Sequence, residues 1–222
     1  MTSTLFFSLQ AALAEDKIPA TSFTELKQPV FKRLNLFGGK IIPPKTKVQG
    51  YSLNDVAQAI AYFSTSRNNL AFLPHTPFQI LYIQDFSNNT ATFTVPPGTI
   101  LFVPIGYITD SPPVIGNFPT TFEQAANYVF DSQQISGKFE IVVNGVKTTI
   151  NDPRYIGGPV FAPGLLDGGG SHFLQVGVFL TPLSPGEHTI SGQFSATGNA
   201  VIDTLGQAFS SGFTYKVIVK GN

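Results

Sequence analysis

Histidine is scarce in this chain of 222 residues, with three copies, and cysteine is absent. His188 follows Glu187 in "TPLSPGEHTISGQF" (181–194), and a carboxylate next to an imidazole raises the question of an acid–base pair. The surrounding pattern answers it. Pro185 and Gly186 suit positions i+1 and i+2 of a type II turn. Beyond them His188, Ile190 and Phe194 fall on one strand face, while Glu187, Thr189, Ser191 and Gln193 fall on the other. Adjacent strand residues point to opposite faces, so Glu187 and His188 cannot serve each other. The expectation is Glu187 outward and His188 inward, hydrogen-bonded to backbone.

A second cluster is "LLDGGGSHF" (165–173), where three glycines lie between Asp167 and the pair Ser171–His172. Gly-rich backbone can present N–H groups to an anion, and neighbouring Ser and His could do nucleophilic work. The cluster lacks the Lys and the strand–loop–helix setting of a phosphate loop, and the chain has no G-x-S-x-G elbow. A connection feeding the next strand is the plainer reading. Asp167, His172 and His188 are nonetheless the candidate catalytic set, if folding brings them together. His75 lies between two prolines in "LPHTP", and no short-range His pair marks a metal site. No metal or cofactor is implied. Asp110, Glu123, Asp131, Asp152 and Asp167 lie in or near loops. Arg154, one of three arginines, is a fork suited to a carboxylate. With Tyr155 and Ser171 it completes the candidate binding residues.

These groups must be positioned by strands. Gly (21) and Pro (17) punctuate the whole chain, separating short β-branched and aromatic runs. "FEIVVNGVKTTI" (139–150) reads as a hairpin, with Asn144-Gly145 in a type I′ turn. "ATFTVPPGTILFVPIGYI" (91–108) reads as two strands around Pro96-Pro97-Gly98. "HFLQVGVFL" (172–180) puts Leu174, Val176, Val178 and Leu180 on one face. Phe173, Gln175, Gly177 and Phe179 take the other, a strand covered on both sides. "FTYKVIVKG" (213–221) closes the chain as an alternating strand. Two helices are predicted, over 51–63 with Ser52 or Asn54 as N-cap, and over 120–131 with Thr120 and Glu123 as a capping box. The second would bury Phe122, Ala125, Ala126 and Val129.

Composition narrows the function classes. Lys+Arg and Asp+Glu number 13 each, the net charge is zero, and no basic stripe is present. That is not the footprint of a nucleic-acid binder. Charged residues make up 12%, about half the usual share, which favours association between copies. No stretch reaches the roughly 20 apolar residues of a spanning helix. "TLFFSLQAALAED" ends its apolar run on an A-x-A pattern like a signal-peptidase site, but no Lys or Arg precedes it. A strand or short helix of the mature domain is the preferred reading there.

Four segments, "TVPPGTILFVPIGYITDSPP", "TTFEQAANYVFDSQQISGKFEIVVNGV", "NDPRYIGGPVF" and "TPLSPGEHTISGQF", occur in that order. Together they resemble a family of uncharacterised exported bacterial β-rich proteins with V-P-x-G-x-x-L-F-x-P and P-L-x-P-G-x-H-T-I motifs. The family's Trp-rich helix would correspond to "GYSLNDVAQAIAYF", which has no Trp. The resemblance implies a β-rich architecture and export, in secreted, periplasmic or cell-surface form, and no activity.

The expected fold is mostly β, a single antiparallel β-sandwich over 1–222, jelly-roll-like or immunoglobulin-like, with one or two short helices. Residues 1–50 read as an N-terminal extension or arm. The expected function is a non-catalytic exported or surface module that binds a ligand or self-assembles. One alternative is a hydrolase or lyase using Asp167, His172 and His188. Another is carbohydrate or lipid binding, which would show as a groove lined by Tyr and Phe. The partners implied are further copies of the chain or a small-molecule or glycan ligand.

Overall fold

A computed structural model describes residues 38–221. The A-x-A pattern and most of the expected N-terminal arm lie outside the described residues. The chain is mostly β, with nine strands in two mixed sheets and three α-helices among the described residues. In the four-stranded sheet the order is β1 (Gln79–Ile80), β3 (Leu101–Thr109), β7 (His172–Leu180), β6 (Ile156–Phe161). The five-stranded sheet runs β2 (Thr90–Val95), β9 (Phe209–Val219), β8 (Gly186–Ala196), β4 (Gly137–Val143), β5 (Val146–Ile150).

The expected all-antiparallel pairing needs correction. β1 lies parallel to β3, and β2 lies parallel to β9. The Pro96–Thr99 turn forms as expected, with Gly98 at φ +82° and the Thr99 N–H directed to the Pro96 carbonyl. It carries the chain from one sheet to the other, so β2 and β3 never pair. Their partners come from distant sequence, and a local turn signal says nothing about those. The Asn144-Gly145 hairpin does form in the expected way, with φ of +50° and +83°.

β7 is buried at every residue except its first. Leu174, Val176, Val178 and Leu180 join a core cluster with Phe139, Ile141, Ile190, Phe194 and Val217 of the other sheet. Phe173 and Phe179 instead join a second cluster with Val56, Ala57 and Ile60. Those three belong to α1 (Leu53–Thr65), capped by Ser52 and Asp55 in a reciprocal box. α1 is the cover that a doubly buried strand requires. Polar contacts fix it on β6 and the loop after it: Asn54 accepts the Gly158 N–H at 2.7 Å, Gln58 donates to the Phe161 carbonyl at 3.1 Å, and Tyr62 to the Pro163 carbonyl at 2.8 Å. The segment before α1 is docked as well, with Ile41 bridged to Leu180 and Val48 buried.

α2 (Phe122–Phe130) is capped one residue later than expected, by Thr121 with Gln124. The register follows the cap: Tyr128 is buried with Ala125 and Val129, while Phe122 is 41% exposed. α3 (Asn199–Leu205) is a third helix absent from the sequence reading. Seven residues with only Val201 buried leave little periodicity to detect.

Gly157 marks the closest approach of helix and sheet, where an added Cβ would collide with the Leu53 carbonyl. Gly157→Ala should therefore lower the unfolding free energy by about 1–3 kcal/mol, read as a lower denaturant midpoint with an unchanged m-value.

Candidate functional site

The Gly-rich cluster folds into the loop between β6 and β7, closed internally by Ala162 N–H to Ser171 O and Leu165 N–H to Gly170 O. Two carboxylates lock it to the end of β3 in opposite directions. From the strand side, Asp110 Oδ1 accepts the N–H groups of Ser171 (2.6 Å) and His172 (2.7 Å). Its Oδ2 contacts Ser171 Oγ at 3.1 Å and His172 Nδ1 at 2.8 Å. From the loop side, Asp167 accepts from Thr109 Oγ1 at 3.0 Å and Ser111 Oγ at 2.6 Å. The N–H groups of Gly170, Ser171 and His172 that could meet an anion are taken by Ser111 Oγ and Asp110 Oδ1.

This geometry bears on the chemistry of Ser171 and His172. A Ser–His–Asp relay needs the carboxylate on one ring nitrogen and the hydroxyl on the other. Here Asp110 and Ser171 both meet Nδ1. A carboxylate can only accept, so Nδ1 carries its proton towards Asp110 and cannot take one from Ser171. Burial works against the Asp110 charge. The hydrogen bonds from His172 and Ser171, through backbone and side chain, outweigh that and hold its carboxyl at about 2.

His188 belongs to another place. β7 spans about 27 Å at some 3.4 Å per residue, and His188 follows its far end across residues 181–185. It lies on the core face of β8 at the rim, half-buried, opposite Val217. Its Nε2 meets the Ser184 carbonyl at 2.8 Å and its Nδ1 the Asn144 amide at 2.8 Å. The Thr189 N–H donates to Asn144 Oδ1 at 3.2 Å, which turns the Asn144 NH₂ group towards the ring. Nε2 is then the protonated nitrogen and Nδ1 the acceptor. The histidine ties the β4–β5 turn to the start of β8. Glu187 faces out and pairs with Lys216 at 2.9 Å. Arg154 forks onto Asp152, with Nε 2.9 Å from each carboxylate oxygen. Tyr155 is half-buried beside the core, and His75 is exposed. Ser171 and His172 thus share Asp110, Asp167 holds the same loop through Thr109 and Ser111, and His188 and Arg154 stand apart. Among the described residues no three His, Cys, Asp or Glu side chains gather as a metal ion would need.

The concave site lies elsewhere. A cavity of about 390 Å³ opens beneath the C-terminal half of α1, within the size range of small-molecule sites. A bulge in β3 makes room for it: Pro104 has no N–H for the ladder, and the register shifts between Pro104 and Gly106. Gly106 lets the Phe194 ring lie against the bulge, and Gly192 does the same for Phe213. Rings then meet in sequence, Phe63 to Tyr82 (5.1 Å), Tyr82 to Phe93 (5.2 Å), Phe93 to Tyr215 (5.8 Å) and Tyr215 to Phe213 (4.5 Å), and all but Phe93, which stands behind them, line the cavity. Burial pushes the Tyr215 hydroxyl above the usual phenol range, as a dry setting should. At the rim Tyr107 and Phe209 are 42% and 46% exposed, and both also border an open groove outside.

The lining of this mostly apolar site includes Ser64, Asn68 and Ser211, which reach solvent, and one polar side chain that is fully buried. Gln175, 1% exposed, lines the cavity, and neither its Oε1 nor its Nε2 has a hydrogen-bond partner. The sequence reading puts Gln175 on the strand face shared with Phe173, Gly177 and Phe179 without giving it a role. A lone amide in a strand read as covered on both faces was the available signal. Asp110 is named in that reading only among the loop carboxylates, Asn144 only as a turn residue and Ser111 not at all, because each acts on sequence 44 to 62 residues away.

No family model matches the chain, and no curated protein matches it. Among solved structures, the crystal structure of the cysteine protease inhibitor EhICP2 from Entamoeba histolytica is 11% identical, with 66% of this chain and 99% of that chain covered at a TM-score of 0.26. The solution structure of amebosin is 16% identical, with 65% and 100% covered at a TM-score of 0.25.

Removing the Asp110 clasp should cost stability in a pH-dependent way. Its carboxyl is about 2 when folded and 3.8 as the reference value, so its ionised form contributes about 2 kcal/mol above pH 4. Because the folded value is the lower one, that contribution fades as pH falls from 4 towards 2. Asp110→Ala should be less stable by at least this amount at pH 7, with the gap to wild type narrowing between pH 4 and 2 in urea unfolding.

Proposed function

We propose that this protein is a non-catalytic binding module whose ligand is a small apolar or aromatic molecule held beneath α1. The observation that carries this reading is the cavity of about 390 Å³ walled by Phe63, Tyr82, Phe194, Phe213 and Tyr215, with Tyr107 and Phe209 at its rim. Concave, mostly apolar, ring-lined sites with few polar groups are the usual form of small-molecule pockets. The alternative of hydrolysis or elimination loses its support from the side chains themselves. Asp167 and His172 are engaged in closing a loop, and His188 in tying a turn to a strand. Of the two non-catalytic ligand classes considered, the wall favours a flat apolar body over a glycan, since its Phe and Tyr rings outnumber the polar side chains of Ser64, Asn68, Gln175 and Ser211. The resemblance of the sequence motifs extends the proposal to an exported protein of sandwich architecture acting outside the cytoplasm.

The chain has seven Tyr and no Trp, and Tyr82, Tyr107 and Tyr215 line the cavity, so part of its intrinsic fluorescence reports on the cavity wall. Titration with the hydrocarbon 2-isopropenylnaphthalene should change Tyr emission saturably and raise Tm. At a free concentration one hundred times Kd the stabilisation should be about 2.7 kcal/mol. Ser64→Phe, which puts a ring into the cavity from α1, should abolish both effects. A wild-type Tm that moves neither with this probe nor with 2-naphthamide, up to their solubility limits, would contradict the proposal.

Self-association through β5 is a second reading. β5 is an edge strand whose Val146 is 69% exposed, and exposed edges pair readily. Light scattering should then give a mass that rises with concentration, and Val146→Lys should suppress the rise. A mass of 23.9 kDa at every micromolar concentration would remove this reading.

A further inference from the structure

From the state of Gln175 we infer that the ligand carries a neutral amide, lactam or carboxylic acid group, attached to a flat apolar body. This rests on the cavity being a binding site and adds what the site selects. Gln175 is buried to 1% exposure on the central strand β7 and lines the cavity, and both ends of its amide are unpartnered. A buried amide without partners is costly, and apolar residues surround it on the same face, with Phe173, Phe179 and Ile60 in the adjoining cluster. Methionine or leucine would fill the position without that cost. A primary amide presents a donor and an acceptor side by side, so its complement is a group with an acceptor and a donor in the same spacing. Amides, lactams and carboxylic acids have that arrangement, and the paired bonds satisfy both Gln175 atoms at once.

The remaining wall sets the other two terms. None of the residues lining the cavity carries a charge, and Arg67 lies in the outer groove beyond Tyr107, so an ionised group held inside the cavity would be desolvated with no counter-ion in its wall, and the neutral form is selected. The rings of Phe63, Tyr82, Tyr215 and Phe213 present edges and faces along one side, which suits a planar aromatic or fused-ring body. Tyr107 and Phe209 at the rim lie on the route from the outer groove.

The test compares two probes of equal shape, 2-naphthamide and its hydrocarbon isostere 2-isopropenylnaphthalene, by ligand-observed NMR on the full chain. Wild type should bind the amide at least about tenfold more tightly, since the isostere leaves Gln175 unpartnered. Gln175→Met should bring the two affinities to within about twofold and raise the Tm of the free protein. Equal affinities in wild type would overturn the inference while leaving the cavity a binding site. A preference that survives in Gln175→Met would also overturn it. Binding of neither probe would overturn the cavity reading itself. The wild-type comparison decides the matter alone if the variant fails to fold.

Discussion

Burial of β7 on both faces is the constraint on which the rest of the structure depends. Eight consecutive strand residues, Phe173 to Leu180, are removed from water, and each face needs its own cover. The five-stranded sheet covers one face and α1 the other. The close seat of α1 in turn requires Gly157 beneath Leu53, and its hold on β6 comes from Asn54, Gln58 and Tyr62. Where the cover is incomplete, beside the β3 bulge, a cavity remains, and Gln175 on the same strand face borders it.

The polar residues that look most like chemistry serve this scaffold. Asp110 and Asp167 bind across the same junction in opposite senses, so the Gly-rich loop is fastened to the end of β3 at both of its shoulders. His188 and Asn144 do the equivalent at the other end, fixing the β4–β5 turn against β8. Asp110, Asp167 and His188 meet their hydrogen-bonding needs within the protein, and His172 does so at Nδ1. Gln175 does not. That contrast, between satisfied residues that resemble an active site and an unsatisfied one that does not, is the ground on which the proposed ligand site rests.

Much of the scaffold was legible in the sequence because its signals are local. The alternation of 172–180, the Asn144-Gly145 turn, the Ser52 cap and the outward Glu187 each depend on a few neighbouring residues, and each stands in the structure. Pairing partners depend on residues far apart, so the parallel contacts of β1 with β3 and of β2 with β9 were not legible. The same limit applies to the site. Asp110 lies 61 positions from the Ser171 N–H it accepts, and the cavity draws its wall from α1, β3, β7, β8 and β9. The A-x-A and Asp-Gly-Gly-Gly-Ser-His patterns catch the eye in one dimension, whereas a lone Gln among apolar residues gains meaning only once both faces of its strand are covered.

A crystal structure of the protein soaked in 2-naphthamide tests the central claim most directly. The account expects the naphthalene rings against Phe63, Tyr82 and Tyr215, with the ligand amide within about 3 Å of both Gln175 Oε1 and Nε2. Ordered water filling the cavity and bridging Gln175 to the protein, with no ligand present, would contradict it.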